Sequence, residues 1–433
     1  MKFYDRETEL EILKETREMS KKGGTFTVIT GRRRIGKTAL ILESEKGNSF
    51  LYFFAERKSE AMLCKELIRD TKKYLGIKIS GDSFSDLFEE LMEYGTKNNF
   101  TFVIDEFQEL DRADKSITSS IQKHWDAYRS ASMVNLIVSG SIYSMMVRIF
   151  DRYKEPLFGR ATSKFNIRPF KPSVVKRILK DHNPEYSPDD LLFLYMVTGG
   201  VPMYIELLMD AGATSFDKML ERICRPNSLF LTEGRDLLIS EFGKDYGTYY
   251  SILELIATGN NTLREINDAI GKESISYLDN LEKEYNLITR NKPIFSKENS
   301  RGIRWHISDN YMRFYFRFIG GNRSLIERGE YGLLKEMIES DYSQYSGFVL
   351  ENYFKEKMSE EERLTSIGSY WDRKGQNEID IIAVNDMNMK AVVAEVKRDP
   401  KKADVHKLRE KSETVYGLKG FDVEFRILSL DDM

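Results

Sequence analysis

The sequence has little of what would mark a cross-linked, metal-clustered or membrane-spanning protein. Its 433 residues include two cysteines, Cys64 and Cys224, four histidines and nine prolines. Two cysteines far apart in sequence give neither a disulfide framework nor a zinc spacing, and the histidines do not cluster, which points to a reducing compartment. Long apolar runs are also missing, since a stretch such as Asn135 to Val138 is far too short to cross a bilayer. The opening residues, Met1-Lys2-Phe3-Tyr4-Asp5-Arg6-Glu7, turn charged at once and leave no apolar segment of signal-peptide length. A cytoplasmic location is therefore expected. Neither charge sign dominates: 66 Lys and Arg stand against 69 Asp and Glu, a net charge of -3. With no global basic field, any contact with nucleic acid has to come from a local patch. There is no internal repeat and no low-complexity tract.

What is present is a globular composition, 41% hydrophobic and 31% charged, on a chain too long for one ordinary core. Two to four domains are expected. Up to about residue 170, strand-like and helix-like patterns alternate. Phe26 to Ile29, Phe50 to Phe54, Phe100 to Ile104 and Val134 to Val138 are short apolar runs rich in β-branched and aromatic residues. Between them lie amphipathic stretches, one with Phe84, Leu87, Phe88, Leu91 and Met92 at helical spacing behind an Asp82-Ser83 cap. This alternation predicts an α/β fold, a parallel sheet flanked by helices. Residues 171–240 read as a small helical bundle. Residues 241–320 read as three helices and a hairpin, the order of a winged helix. Residues 321–433 return to α/β, with a helix through Glu351 and strands around Ile379 to Val384, Ala391 to Val396 and Val423 to Leu428.

Gly31-Arg32-Arg33-Arg34-Ile35-Gly36-Lys37-Thr38 matches G-x-x-x-x-G-K-[ST]. Thr25 to Thr30 runs into it as a strand, and Ala39 to Ser44 continues as a helix. The glycines let backbone N–H groups and the helix N-terminus face phosphate oxygens. Lys37 can place its ammonium on the β- and γ-phosphates, and Thr38 can ligate magnesium. ATP and Mg2+ are the expected ligands. Thr101 to Ile104 is an apolar strand that ends in Asp105 and Glu106. Asp105 can hold the magnesium shell, and Glu106 can polarise the attacking water. The next strand ends in Ser139-Gly140-Ser141, where a hydroxyl either senses the γ-phosphate or caps a helix. Arg160, ahead of a fifth strand near Phe165 to Ile167, either reaches a neighbouring subunit's γ-phosphate in a homo-oligomer or makes a structural ion pair.

Together these residues resemble the AAA+-related ATPases of the signal-transduction (STAND) type. In particular, the chain resembles the archaeal and bacterial family that carries a C-terminal domain of unknown function 234. The likeness extends over nearly the whole chain. Phe3 to Leu10 looks like the family's opening motif, which implies that Arg6 sits near the adenine. Gly200-Val201-Pro202 looks like the G-x-P element of its helical lid, which implies that Pro202 lies near the base and ribose. Leu157 to Arg160 looks like its Gly-Arg element. The resemblance implies four parts: a P-loop ATPase core (1–170), a helical lid (171–240), a winged helix (241–320) and a nuclease-like domain (321–433). No lid arginine equivalent to the second sensor of general AAA+ proteins stands out.

In the last part Glu351, Asp380, Glu395 and Lys397 can meet. Asp380 and Glu395 fall on successive strands, where two carboxylates can face one another and hold a second divalent ion while Lys397 steadies a hydroxide or phosphate. This looks like the PD-(D/E)xK nuclease constellation. Glu-x-Lys is also frequent by chance in so charged a chain. For DNA contact the would-be recognition helix is acidic, with Asp279, Glu282 and Glu284. The wing is basic, with Arg290, Lys292, Lys297, Arg301 and Arg304. Such a wing can grip a DNA backbone, or the winged helix can serve only as a packing joint. The aromatic run Tyr311, Phe314, Tyr315, Phe316 and Phe318 fits base stacking or, more simply, a core.

Overall fold

The computed structural model describes residues 1–242, 246–297, 302–372 and 377–433. The chain forms two compact units, Asp5–Arg168 and Met1–Tyr4 with Pro169–Met433.

The unit Asp5–Arg168 is built on five strands, β1 (Thr25–Thr30), β2 (Phe50–Phe54), β3 (Phe100–Asp105), β4 (Val134–Gly140) and β5 (Ser163–Asn166). They lie in the order β2-β3-β4-β1-β5 and every neighbouring pair is parallel. The three central strands are buried at every position, as strands covered by helices on both faces must be. The helix Phe84–Tyr94 shows why the covering forms. The Ser83 hydroxyl accepts from the Asp86 N–H while the Asp86 carboxylate accepts from the Ser83 N–H, a reciprocal cap. Behind that cap Phe84, Leu87, Phe88, Leu91 and Met92 are all buried against the sheet core that includes Phe53 and Phe102. Each such side chain contributes roughly 1.5–3 kcal/mol. The fifth strand lies slightly earlier than the sequence suggested. Thr27 pairs with Ser163 and Thr30 with Asn166, and Ile167 follows the strand, its N–H donating to Thr30 O at 2.8 Å. An edge strand only half-buried at alternate positions carries a weaker apolar signal than the central ones.

The second unit begins with the helices Pro172–His182, Pro188–Thr198, Pro202–Met209 and Phe216–Ile223. The helix Pro188–Thr198 is buried from Asp190 to Thr198, so it is a core element rather than a surface one. Three helices (Tyr246–Ala257, Leu263–Ile270, Ile275–Lys283) then lead into an antiparallel pair, β6 (Ile288–Asn291) and β7 (Arg304–Ile307). The aromatic run is core: Tyr311, Phe314, Tyr315, Phe316 and Phe318 are all buried. Gly234 lies flat on the Tyr315 ring, where an added Cβ would sit 2.4 Å from it. A 31-residue helix, Tyr331–Glu361, follows. The closing sheet has the order β11-β10-β9-β8. Strands β8 (Ser366–Trp371), β9 (Glu378–Asn385) and β10 (Lys390–Val396) are antiparallel neighbours, and β11 (Asp422–Leu428) runs parallel to β10. The sequence reading did not anticipate β8, whose glycine and irregularity between Gly368 and Tyr370 blur its alternation.

Within this unit the early helices and the closing domain share one interior. Tyr195 meets Tyr353 edge to face at 5.3 Å, and Phe216 meets Tyr342 at 4.6 Å. The Asp189 carboxylate accepts from Tyr342 Oη at 2.7 Å and from Arg398 Nη2 at 2.6 Å. The Arg398 guanidinium also lies over the Tyr342 ring at 4.8 Å and donates to Ser346 Oγ at 2.7 Å. No helix among the described residues is long and apolar enough to cross a membrane.

Candidate active site

The loop after β1 has the backbone its glycines allow. Gly31 has φ 152°, and a Cβ there would lie 2.9 Å from Ile167 O and 3.1 Å from Ile35 Cγ2. Arg34 and Gly36 turn left-handed, with φ 70° and 91°, and deliver the chain into the helix Lys37–Ser44. Ile35 is buried beneath the loop, whereas Arg33, Thr38 and Ala39 are exposed and Arg32 is half-buried. The Lys37 ammonium folds over the loop and donates to Gly31 O at 2.9 Å and Arg32 O at 3.1 Å.

Asp105 ends β3 and is only 1% exposed. Its Oδ2 accepts from Thr38 Oγ1 and from Tyr52 Oη, both at 2.7 Å. Its Oδ1 accepts from Ser139 Oγ and from the Glu106 N–H. A buried carboxylate is tolerable only when so supplied with donors. Glu106 follows in a left-handed conformation, φ 55°, uncommon for a residue with a side chain. Its Oε2 accepts from Ser141 Oγ at 2.6 Å, from the Ser141 N–H at 3.3 Å and from Gln108 Nε2. The two serines are thus partners of the two acids, Ser139 of Asp105 and Ser141 of Glu106. The helix that follows, Tyr143–Asp151, has no side-chain cap. Tyr52 and Gln108 were missed from sequence, because neither belongs to a phosphate-loop motif. The one available signal is a phenol in the otherwise apolar strand Phe-Leu-Tyr-Phe-Phe. Burial, and then the Asp105 charge, push the Tyr52 phenol above its ordinary value, so it stays protonated and donates.

The remaining expected residues have partners of their own. Arg6 is buried, with Nη2 donating to Arg168 O at 2.7 Å and Nη1 to Glu9 at 3.3 Å. Pro202 belongs to the other unit and opens the helix Pro202–Met209 behind Gly200, which packs against the Phe170 backbone. Arg160 makes the structural ion pair rather than offering an open guanidinium: Nε and Nη2 grip Asp126 at 2.8–3.1 Å and Nη1 donates to the carbonyls of Pro156 and Phe158.

The closing sheet brings Asp380, Glu395 and Lys397 together, and Glu351 on the long helix lies near enough to feel the Asp380 charge. Ala394 pairs with Ile381, so Glu395 and Asp380 fall beside one another. Lys397 Nζ reaches both, at 3.2 Å from Asp380 Oδ2 and 3.2 Å from Glu395 Oε1. Burial alone lowers the Lys397 ammonium, but these two charges raise it above its ordinary value. Burial first, and the Asp380 charge second, push the Glu351 carboxyl up to about 7. Lys355, one turn on, lies 3.9 Å from it. Among the described residues no three His, Cys, Asp or Glu side chains are gathered closely enough to hold a metal ion. The two carboxylates that would hold the second divalent ion expected from sequence are both paired with Lys397 here.

The hairpin's basic residues are largely used internally. Arg290 pairs with Asp279 at 2.7 Å and Glu282 at 3.2 Å and lies over Trp305. Arg304 pairs with Glu378 at 2.7 Å and lies over Trp371. Both contacts support a packing joint. Lys292 and Lys297 are near the hairpin's turn, and Arg301 lies outside the described residues.

A five-stranded parallel sheet in this order, with a phosphate loop after β1 and a carboxylate pair ending β3, defines an α/β P-loop ATPase. Comparison with known proteins agrees. Residues 3–208 match the model of an ATPase domain predominantly from Archaea, and residues 315–408 match that of archaeal and bacterial proteins of unknown function. An uncharacterized protein of Methanocaldococcus jannaschii is 34% identical over 426 residues, covering 94% of this chain and 90% of its own. A Walker-type ATPase of Pyrococcus abyssi shares the fold with TM-score 0.54 and 20% identity, over 73% of this chain and 96% of its own. The ORC2 protein of Aeropyrum pernix, solved in ADPNP–ADP complexes, does so with TM-score 0.50 and 15% identity, over 76% and 96%. The chain belongs to the archaeal and bacterial family in which an ATPase domain found predominantly in Archaea precedes the domain of unknown function 234. It is an ATP-hydrolysing enzyme.

Proposed function

We propose that ATP turnover at the loop Gly31–Thr38 works a molecular switch whose output is the nuclease-like domain at the C-terminal end, acting on DNA. The observation that carries the switch's catalytic half is the pairing of a buried, four-donor Asp105 with a Glu106 held by Ser141 and Gln108. In this reading the loop amides and the Lys37 ammonium neutralise the β- and γ-phosphates. Thr38 and Asp105 offer the hard oxygen donors that suit magnesium, which needs few protein ligands beside phosphate and water. Magnesium, when bound, neutralises charge on the β- and γ-phosphates. Glu106 accepts a proton from water as the water oxygen bonds to the γ-phosphorus. The bond to the β,γ-bridging oxygen breaks, and ADP leaves with its electron pair. Arg6 and Pro202 are assigned to the adenosine end, on the family's pattern.

For the output, the mixed sheet packed with a long helix and the meeting of Asp380, Glu395 and Lys397, with Glu351 nearby, support a nuclease-like fold. The helix–helix–helix–hairpin order of residues 246–307 supports a winged helix, used mainly as a joint. A second reading, a scaffold that binds ATP, self-associates and uses its C-terminal domain only for contact, is favoured by one observation: Lys397 already satisfies both carboxylates. One experiment separates them. ATPase and DNA-cleavage assays, with Mg2+ or Mn2+ titrated in, are run on wild type, Lys37→Ala, Glu106→Gln and Asp380→Ala. Lys37→Ala and Glu106→Gln should lower ATP turnover by about 100-fold or more, with Glu106→Gln still binding nucleotide. Asp380→Ala should abolish cleavage alone. DNA left intact by wild type at every metal concentration decides for the scaffold.

A further inference from the structure

Tyr52 lies on β2, the edge strand of the ATPase sheet, outside every motif that the loop and its carboxylates define. The strand sorts its residues by parity. Leu51 and Phe53 go into the apolar core, while Tyr52 and Phe54 face the other way. In the β2–β3 register Phe54 pairs with Asp105 and Tyr52 with Val103, so Tyr52 stands one residue pair back from the carboxylate on the same face. A phenylalanine at position 52 would fill that space equally well but would stop short of it. The phenol makes up the difference, and its Oη lies 2.7 Å from Asp105 Oδ2.

That oxygen has two hydroxyl donors, Thr38 and Tyr52, and they differ in one respect. Thr38 belongs to the phosphate loop, where its hydroxyl would offer a lone pair to magnesium while its single proton stays on Asp105. Tyr52 has no such second duty. Tyr52 is thus a second donor dedicated to fixing Oδ2, while Ser139 and the Glu106 N–H fix Oδ1. An unanchored carboxylate would rotate about its terminal torsion, which has broad, shallow wells. We infer that Tyr52 is a positioning residue for ATP hydrolysis, holding Asp105 in the one orientation that serves magnesium bound with the nucleotide. The inference rests on the assignment of Asp105 to the magnesium shell.

The test compares Tyr52→Phe with Asp105→Ala in the full-length chain. The affinity for a fluorescent ATP analogue is measured in magnesium and again in EDTA, alongside thermal melting of the nucleotide-free protein. Tyr52→Phe should weaken binding about tenfold in magnesium, the scale set by one hydrogen bond to a charged group, and leave the EDTA affinity unchanged. Melting should move little, because the ring still fills its site. The half-saturating magnesium concentration for turnover should rise by a similar factor. Equal losses with and without magnesium, or no loss in either, overturns the role of Tyr52. If Asp105→Ala itself leaves the magnesium dependence intact, the assignment of Asp105 fails instead. If Asp105→Ala removes that dependence and Tyr52→Phe does not, only the inference about Tyr52 fails.

Discussion

At Gly31 a single hydrogen replaces a side chain because two neighbours leave no room for one. The backbone oxygen of Ile167 stands 2.9 Å from where a Cβ would be, and it is part of the chain leaving β5 rather than a side chain that can swing aside. Gly31→Ala should therefore destabilise the protein by about 1–3 kcal/mol and weaken ATP binding, because relief comes only from moving the loop or the chain at Ile167. Chemical denaturation together with nucleotide titration checks this. The motif made Gly31, Lys37 and Thr38 legible from sequence, since its spacing states what the backbone must do. Tyr52 and Gln108 were illegible for the converse reason. Their roles come from register between strands distant in sequence, and nothing local distinguishes a phenol that reaches a carboxylate from one that merely packs. Arg160 is the converse case: its position suggested a role in trans, and Asp126, on the helix Ser116–Tyr128, had no motif to announce it as a partner.

Among the elements, the hairpin β6–β7 has a pH sensitivity of its own. His306 lies on β7, stacked on the Phe348 ring at 5.3 Å. Burial, followed by the charges of Arg313, Lys355 and Arg304, lowers its imidazolium from 6.5 to about 3. The folded state thus refuses a proton that the unfolded chain accepts. Between pH 6.5 and about 3 the unfolded state binds more protons, so the His306 contribution to stability is complete above pH 6.5 and is lost as the pH falls through that window. The slope is at most about 1.4 kcal/mol per pH unit. His306→Phe should flatten the acid limb of a stability–pH curve measured by denaturant unfolding, while leaving the alkaline limb in place. Elements with strong periodicity, such as the five apolar positions of Phe84–Tyr94, could be read directly from the sequence. The strand β8 could not, because its irregularity removes the alternation that identifies a strand.

On the scale of the molecule, the pattern divided residues 171–433 into three parts, whereas the folded chain gathers Pro169–Met433 and Met1–Tyr4 into one compact unit. Composition reports where elements begin, but long-range pairs decide which of them share a core. The Asp189–Arg398 pair is one such bond, between the early helices and the residue after Lys397. Its partners are 40% and 22% exposed, so the pair alone should contribute about 1 kcal/mol or less. A double-mutant cycle of Asp189→Ala and Arg398→Ala, read by chemical unfolding, should return a coupling of that size.

The interleaving of early helices with the closing domain bears on how this protein can be dissected. A fragment that starts at the long helix would strip Tyr342 and Tyr353 of Phe216, Phe193 and Tyr195, and would leave Arg398 without Asp189. Aromatic surface made to face a ring-lined interior would then meet water. Such a piece would precipitate or self-associate, and its silence in an assay would speak of the cut rather than of the chemistry.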